Sequence, residues 1–172
     1  AKFCLMQCNT NYTGSKENFK YINLNVLKTY KKKFPKILLG LSDHTPGHET
    51  VLGSIVLGAK VIEKHFTDDT SRKGPDHPFS MDPKTWKLMI ESARNLENSM
   101  GNGIKKVEKN ELQTVVLQRR ATRAIKNIKK GEKIWRKDVE YQRPCPKDAL
   151  TPNDSKKNFG KKINKNIKNG NY

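Results

Sequence analysis

Two histidines stand at equivalent places in the first half of the chain, each directly after a short apolar segment. His44 follows the strand-like run that begins at Ile37, and His65 follows Val61 and Ile62. A helix-like segment separates the two runs, so they are predicted to form neighbouring parallel strands, which lie about 4.8 Å apart. Imidazole nitrogens often bind divalent transition metals, and a site with two protein ligands leaves positions open for water or substrate. The spacing therefore favours a catalytic metal site shared by His44 and His65. The alternative is that each is an ordinary hydrogen-bonded histidine.

Two further polar residues accompany the histidines on the same strand faces. Ser42 lies two residues before His44, and Glu63 lies two residues before His65. Residues two apart on an extended strand point to the same side, so each pair is predicted to face one site. His48 and His77 are weaker candidates, and His48 is predicted to open a helix and to face solvent.

The loop RKGPDHPFS, which follows the strand ending near His65, adds candidate substrate contacts. Arg72 and Lys73 offer cations in a region that often holds a phosphate in barrel enzymes. Asp76 can hydrogen-bond a hydroxylated substrate. The alternative is an ordinary Gly-Pro turn without a ligand.

The elements that must position these residues alternate between strand-like and helix-like segments. Apolar residues recur at three- and four-residue steps from Phe19 to Phe34, which is helical periodicity, and Pro35 ends that segment. The last helix is predicted to begin at Asp82 and to stop at Gly101. The predicted strands cover 2–8, 37–42 and 60–66, and the first two helices cover 19–34 and 48–58. This β-α-β-α-β-α order predicts a parallel sheet flanked by helices, with chemistry at the carboxyl ends of the strands.

The character of the chain changes after Gly103. Residues 104–117 are predicted to be a charged linker, and residues 118–172 hold short apolar segments interrupted by glycine and proline. We therefore predict two domains, 1–103 with the β-α units and 118–172 as a small second module.

The composition limits the classes of function. The chain has 172 residues, of which 34% are hydrophobic, and no apolar run approaches the roughly 20 residues of a membrane span. The first residues lack the features of a signal peptide, and the three cysteines include no CxxC pair. These features predict a cytoplasmic protein without a disulfide framework or a membrane partner.

Positive charge is concentrated in the second half. The net charge is +18, with +5 in residues 1–103 (15 basic minus 10 acidic) and +13 in residues 104–172 (20 minus 7). A basic tail can bind nucleic acid or another polyanion. This tail lacks interleaved aromatic residues and zinc-finger spacing, so a solvated lysine-rich surface is favoured over nucleic-acid binding.

Several motifs occur in one order along the chain: QCNTNYTGS, GLSDHTPGHE, VIEKHFTDD, GPDHPFSM, QRRA and QRP. In this combination the sequence resembles bacterial sialic acid synthases, including those that make legionaminic and pseudaminic acids. The resemblance implies an α/β fold: about three β-α units, strands six to eight, from the C-terminal part of a (β/α)8 TIM barrel. It also implies that residues 118–172 form a small, mostly-β antifreeze-like (SAF) domain, truncated at its C-terminus.

The resemblance also implies a reaction. Members of this family condense phosphoenolpyruvate with an N-acetylated hexosamine, such as N-acetylmannosamine, to give a nine-carbon ulosonic acid and phosphate. The implied cofactor is a divalent metal ion held by His44 and His65, with Mn²⁺ favoured and Mg²⁺ as the alternative. The implied assembly is a homodimer with exchanged small domains.

Substrate contacts carry over by position. Tyr12 matches a tyrosine that lines the family's site. The asparagine expected two residues earlier is Thr10 here, so the resemblance leaves open whether Asn9, Thr10 or Asn11 contacts the sugar.

Three more residues match functional positions of the family. Ser42 matches a site serine beside the first histidine, and Asp76 matches an aspartate that contacts the sugar. Arg143 matches an arginine that the small domain sends into a partner subunit's site to meet the N-acetyl group.

A complete barrel typically needs about 250 residues. The family's catalytic glutamate and its phosphoenolpyruvate-binding residues would lie upstream of this sequence. We therefore expect a fragment that is inactive alone. An alternative from another class is a binding module, in which the SAF-like domain recognises a sugar or a polyanion.

Overall fold

The computed structural model describes residues 3–172, and the chain divides into two compact units. Unit 1 is Ala1–Ile104 and unit 2 is Lys105–Tyr172. The first residue of the predicted strand 2–8 lies outside the described residues.

Three parallel strands form the centre of unit 1, in the order β1-β2-β3 across the sheet. The strands are β1 Cys4–Cys8, β2 Leu38–Asp43 and β3 Val61–Lys64, and the helices are α1 Val26–Lys33, α2 Glu49–Val56 and α3 Pro83–Ser99. The predicted α/β unit with a parallel sheet is therefore confirmed.

The register of the sheet decides which strand ends meet. Cys8 of β1 pairs with Ser42 of β2, which in turn pairs with Glu63 of β3. The pairs of β2 and β3 are offset by 21 residues, from Gly40 with Val61 through to Asp43 with Lys64. Because all three strands are parallel, their carboxyl ends lie at one edge of the sheet.

Apolar side chains between the sheet and the helices form two clusters. The first holds Leu27, Leu39 and Ala59, and the second holds Val51, Met81 and Met89. Leu27 and Val51 are at most 1% exposed, so α1 and α2 are each anchored by a fully buried residue. The clusters hold the helices against the sheet and so fix the loops that leave the strand ends.

The start of α3 follows the sequence prediction. The side chain of Asp82 accepts a hydrogen bond from the backbone N–H of Thr85 (2.7 Å), and the Thr85 hydroxyl accepts one from the N–H of Asp82 (3.0 Å). This reciprocal cap satisfies two backbone donors, and Pro83 occupies the first helical position, where no N–H is needed.

The single helix predicted over 19–34 is wrong. The structure has a 3₁₀ helix at Lys16–Tyr21 and begins α1 only at Val26. Asn23 lies between them with φ of 50°, a left-handed conformation that cannot continue a right-handed helix. Asparagine tolerates this conformation better than most residues, which explains why the chain can turn at Asn23. The apolar spacing continues across Asn23, so the sequence pattern does not reveal that the helix is interrupted there.

Unit 2 is built around a two-stranded antiparallel sheet, with β4 at Ala121–Ala124 and β5 at Val139–Gln142. Its helices are α4 Leu112–Gln118 and α5 Pro152–Lys156. Helix α4 includes residues 112–117, the last part of the segment 104–117 that was predicted to be a linker. The carbonyl of Val116 accepts a hydrogen bond from the N–H of Cys145 (2.8 Å), so α4 is tied into unit 2.

Across residues 3–172, none of the helices has the length and apolar character needed to cross a bilayer. The three cysteines, which lie in this part of the chain, are free thiols.

Candidate active site

The sheet register brings the two predicted histidines together. His44 and His65 follow β2 and β3 directly, and their separation of 21 residues (65 minus 44) continues the offset of the strand pairs. Their ring centres are 5.1 Å apart, with the planes inclined at 68°. His44 is 3% exposed, whereas the His65 side chain is 22% exposed. The pair therefore sits at the carboxyl edge of the sheet, with one ring enclosed and the other open to solvent.

The backbone after β1 fixes the orientation of His44. Its Nδ1 lies 2.9 Å from the carbonyl oxygen of Asn9. A carbonyl oxygen only accepts hydrogen bonds, so Nδ1 carries the proton and donates it. In the neutral ring, Nε2 then holds the free electron pair, which is the arrangement a metal-binding histidine requires.

Tyr12 forms a wall beside both histidines. Its ring centre lies 4.1 Å from that of His44 and 5.5 Å from that of His65. The preceding loop is held by Asn9, whose side chain accepts a hydrogen bond from the N–H of Asn11 (3.1 Å) and donates to the carbonyl of Tyr21 (3.3 Å). The side chain of Asn9 is thus engaged in the loop, while Asn11 is exposed.

Asp76 lies next to the more exposed histidine. Its Oδ2 is 3.6 Å from Nδ1 of His65, and its side chain is 55% exposed, so the carboxylate also faces solvent. The loop that carries it is secured at two points. The hydroxyl of Ser80 donates to the carbonyl of Asp76 (2.7 Å), and Nδ1 of His77 lies 2.7 Å from the hydroxyl oxygen of Thr67.

The remaining candidates occupy different places. Ser42 is half-buried in β2 between Cys8 and Glu63. Arg143 is an exposed residue directly after β5 of unit 2.

Arg72, which the sequence offers as a phosphate ligand, is engaged elsewhere in its loop. Its Nη1 donates to both carboxylate oxygens of Asp68 at 2.8 Å. This hydrogen bond lowers the pKa of Asp68 and raises that of Arg72, so the two groups stay charged and paired at the surface.

Sequence reasoning missed two features of the site. Phe79 lies beside His65, with ring centres 5.0 Å apart and ring planes inclined at 46°. Beneath the histidines, Asp43 and Lys64 form a buried ion pair of 2.6 Å. A signal for the pair was present, because each of its members immediately precedes one of the histidines.

No group of three or more His, Cys, Asp or Glu side chains within residues 3–172 is arranged to hold a metal. At the ends of β2 and β3, the two imidazoles of His44 and His65 lie side by side. The fold and the site define an α/β protein with an open polar site at the carboxyl edge of a parallel sheet.

Comparison with known proteins gives the family. The model of the NeuB family matches residues 1–105, and the chain belongs to this family. It is 38% identical over 141 residues to the N,N'-diacetyllegionaminic acid synthase of Campylobacter jejuni, covering 82% of this chain and 41% of that protein. It is 35% identical over 166 residues to the enzyme of the same name from Legionella pneumophila, covering 96% of this chain and 45% of that one.

A solved structure also matches most of the chain. The spore coat polysaccharide biosynthesis protein SpsE of Bacillus subtilis matches with a TM-score of 0.52 and 26% identity, covering 98% of this chain and 51% of that one. The chain thus spans about half the length, or less, of the relatives it matches. These matches confirm the resemblance to sialic acid synthases.

Proposed function

We propose that this chain forms part of an enzyme that condenses phosphoenolpyruvate with an N-acetylated hexosamine. The products are a nine-carbon ulosonic acid and phosphate, with one water consumed. The observation that carries the proposal is the pair of imidazoles 5.1 Å apart at adjacent strand ends, flanked by Tyr12 and Asp76. The two relatives named as N,N'-diacetyllegionaminic acid synthases support the same class of reaction.

The histidine pair fits a divalent ion, for which we propose Mn²⁺, with Mg²⁺ as the alternative. With zinc as the reference for a divalent ion, a ligating imidazole nitrogen lies about 2.1 Å from the metal, which places each ring centre about 3.2 Å away. Two rings on one ion are then at most about 6.4 Å apart, and the observed 5.1 Å satisfies that limit. The hydrogen bond from His44 Nδ1 to Asn9 also leaves Nε2 free to bind.

The ion would act as a Lewis acid toward the carbonyl of the open-chain sugar, which makes its carbon more electrophilic. The chain's own residues hold the reactants for the new bond between that carbon and the enol carbon of phosphoenolpyruvate. Asn9 keeps the imidazole of His44 in one tautomer and one direction. Tyr12 gives the sugar a flat wall, and the exposed carboxylate of Asp76 accepts hydrogen bonds from its hydroxyls. Ser42, in β2 two residues before His44, offers a further hydroxyl.

We further propose that unit 1 is completed by β-α units like those of the longer relatives, to give a closed (β/α)8 barrel. Three strands leave the sheet with free edges, and barrel closure removes such edges. The residues that bind phosphoenolpyruvate would belong to those units. The 172 residues alone are therefore expected to be inactive. Unit 2 would be the SAF domain, and would deliver Arg143 to the site of a partner subunit in a homodimer.

A chimeric synthase tests the proposal. In the Legionella pneumophila enzyme, the matched segment is replaced by the 166 matched residues of this chain. We expect phosphate release that requires both phosphoenolpyruvate and an N-acetylated hexosamine, and that is lost with His44→Ala. A folded chimera that consumes neither substrate, while the parent does, contradicts the proposed function. The binding-module alternative predicts sugar binding by unit 2 alone.

A further inference from the structure

We infer that the buried ion pair between Asp43 and Lys64 positions the two histidines. Asp43 immediately precedes His44, Lys64 immediately precedes His65, and the members of the pair are register partners at the ends of β2 and β3. Successive strand residues point to opposite faces, so the ion pair lies behind the imidazoles. The inference rests on the proposed function, because it assigns a role toward the same ion.

The ion pair is buried, and both carboxylate oxygens of Asp43 and the ammonium group of Lys64 make hydrogen bonds within the protein. The side chains of Lys64 and Asp43 are 2% and 0% exposed, and Nζ lies 2.6 Å from Oδ2. Asp43 Oδ2 also accepts from the hydroxyl of Thr50 in α2 (2.6 Å). Its Oδ1 accepts from the backbone N–H (3.1 Å) and the hydroxyl (2.8 Å) of Thr45. The carboxylate therefore joins β2, β3, α2 and the loop after β2 at one point.

Thr45, the residue after His44, makes hydrogen bonds to both members of the ion pair. Besides its two bonds to Asp43, its carbonyl accepts a hydrogen bond from Lys64 Nζ (2.7 Å). The backbone on both sides of His44 is thus tied to the ion pair, and the ring itself is tied to Asn9. Lys64 in turn tethers the backbone from which His65 projects. The distance between the two imidazoles is set by this network.

Stability alone does not account for such a pair. Two charges taken out of water are expensive, and an apolar pair of similar volume often stabilises a fold as well or better. A buried pair does, however, specify one register and one direction, since any slip leaves a charge unpaired. Asp43 and Lys64 are therefore positioning residues. They point away from the imidazole side, and we assign them no contact with substrate.

The test compares variants of the 172-residue chain by Mn²⁺ titration, with free ion followed by electron paramagnetic resonance. The double variant Asp43→Leu with Lys64→Met replaces the pair by apolar side chains and avoids a stranded charge. We expect it to fold and to bind Mn²⁺ about tenfold to hundredfold more weakly, as when groups behind a metal site are lost. In the ion-free chain, we also expect the nuclear Overhauser effect between the two imidazoles to weaken. A folded double variant with unchanged affinity overturns the inference.

A matched set of variants in α2 separates positioning from stability. Thr50→Val keeps the shape but removes a donor to Asp43, whereas Thr50→Ser keeps the donor; we expect weaker Mn²⁺ binding from the first only. Ser54 is fully buried in the same helix and donates to the carbonyl of Val51 (2.7 Å), away from the ion pair. Ser54→Ala should lower stability and leave the affinity unchanged.

The inference can still be tested if the double variant does not fold or if the unmodified chain does not bind Mn²⁺. If the double variant does not fold, equal affinities of Thr50→Val and Thr50→Ser overturn the inference. If the unmodified chain binds no Mn²⁺, the proposed ion site fails, and the contact between the imidazoles in the ion-free chain still decides whether the pair positions them.

Discussion

Gly14 lies directly against Phe79, across the loops that follow β1 and β3. A Cβ atom placed on Gly14 would lie 2.1 Å from Cβ of Phe79, far inside van der Waals contact. Phe79 in turn lies beside His65, with ring centres 5.0 Å apart. Because Gly14 has no side chain, Phe79 can occupy its position beside His65.

Replacing Gly14 by alanine is expected to displace Phe79 and to destabilise unit 1. Cβ is fixed to the backbone, so the clash cannot be relieved by a rotamer change, and overpacking of this kind typically costs about 1–3 kcal/mol. The backbone at Gly14 also has φ of +61°, which adds strain for any other residue. Denaturant unfolding followed through the amide signals of unit 1 measures the loss.

Gly101→Ala is the matched control for this substitution. Gly101 has a similar φ of +59°, but nothing lies within 4 Å of a Cβ placed there. The difference between the two variants isolates the contact with Phe79. Equal losses of stability would show that the close approach of Gly14 to Phe79 does not matter.

We expect His44→Ala and His65→Ala each to lower the affinity for Mn²⁺ by at least about a hundredfold. Each variant removes one of the two imidazoles, whereas loss of a group behind a ligand already costs about tenfold to hundredfold. Calorimetric titration of Mn²⁺ measures the effect. His48→Ala is the control, because His48 occupies the N-cap position of α2 without a side-chain capping hydrogen bond and is not one of the two paired rings. Binding by either variant at the unmodified strength would rule out a shared ion.

We expect the neutral ring of His44 to be protonated on Nδ1. Its Nδ1 lies 2.9 Å from the carbonyl of Asn9, which has no proton to give. Imidazole ¹⁵N chemical shifts of the ion-free chain distinguish the two tautomers. A proton found on Nε2 would remove the free electron pair on which the proposed ion site depends.

The placement of the two histidines followed from the sequence more closely than the course of the connecting helices did. The positions of His44 and His65 followed from apolar runs of strand length and a constant side-chain alternation, which are local patterns. The break at Asn23 did not follow, because the periodicity from Phe19 to Phe34 continues across it and only one backbone angle is unusual.

Contacts between residues far apart in the sequence could not be predicted from local sequence patterns. Phe79 reaches His65 through a loop whose course depends on Thr67 and His77, and Gly14 meets it from another loop. The ion pair of Asp43 and Lys64 joins residues 21 positions apart. The loop contacts depend on the course of each loop, and the ion pair depends on the sheet register. Neither is specified by local patterns in the sequence.

Unit 2 is expected to lose stability when Asp138 is protonated. The side-chain hydrogen bond from Lys126 Nζ (2.7 Å) holds the pKa of this buried carboxyl below its ordinary value, and the N–H of Trp135 (2.9 Å) contributes in the same direction. A depressed pKa stabilises the fold above the unfolded-state pKa of about 3.9, and this contribution is lost as pH falls through the folded-state pKa.

The pH dependence can be assigned to Asp138 by substitution. Asp138→Asn should lower the denaturation midpoint at neutral pH and flatten its decline in acid. Fluorescence of Trp135 in a Trp86→Phe background reports unit 2 separately. Asp148→Asn changes an exposed aspartate of the same unit and serves as the control. An unchanged acid profile in Asp138→Asn would show that the bond to Lys126 adds no stability.

Arg143 is expected to act at the site of a partner subunit. Its guanidinium is an exposed, planar donor that suits the carbonyl of an N-acetyl group. Loss of such a contact costs about 1–3 kcal/mol, a roughly tenfold to hundredfold loss in sugar use. In the chimeric synthase, subunits with Arg143→Ala are mixed with subunits with His44→Ala. A mixed dimer then has one site with both changes and one with neither, so activity should return on mixing. If mass spectrometry confirms subunit exchange and activity stays low, Arg143 does not act across the interface.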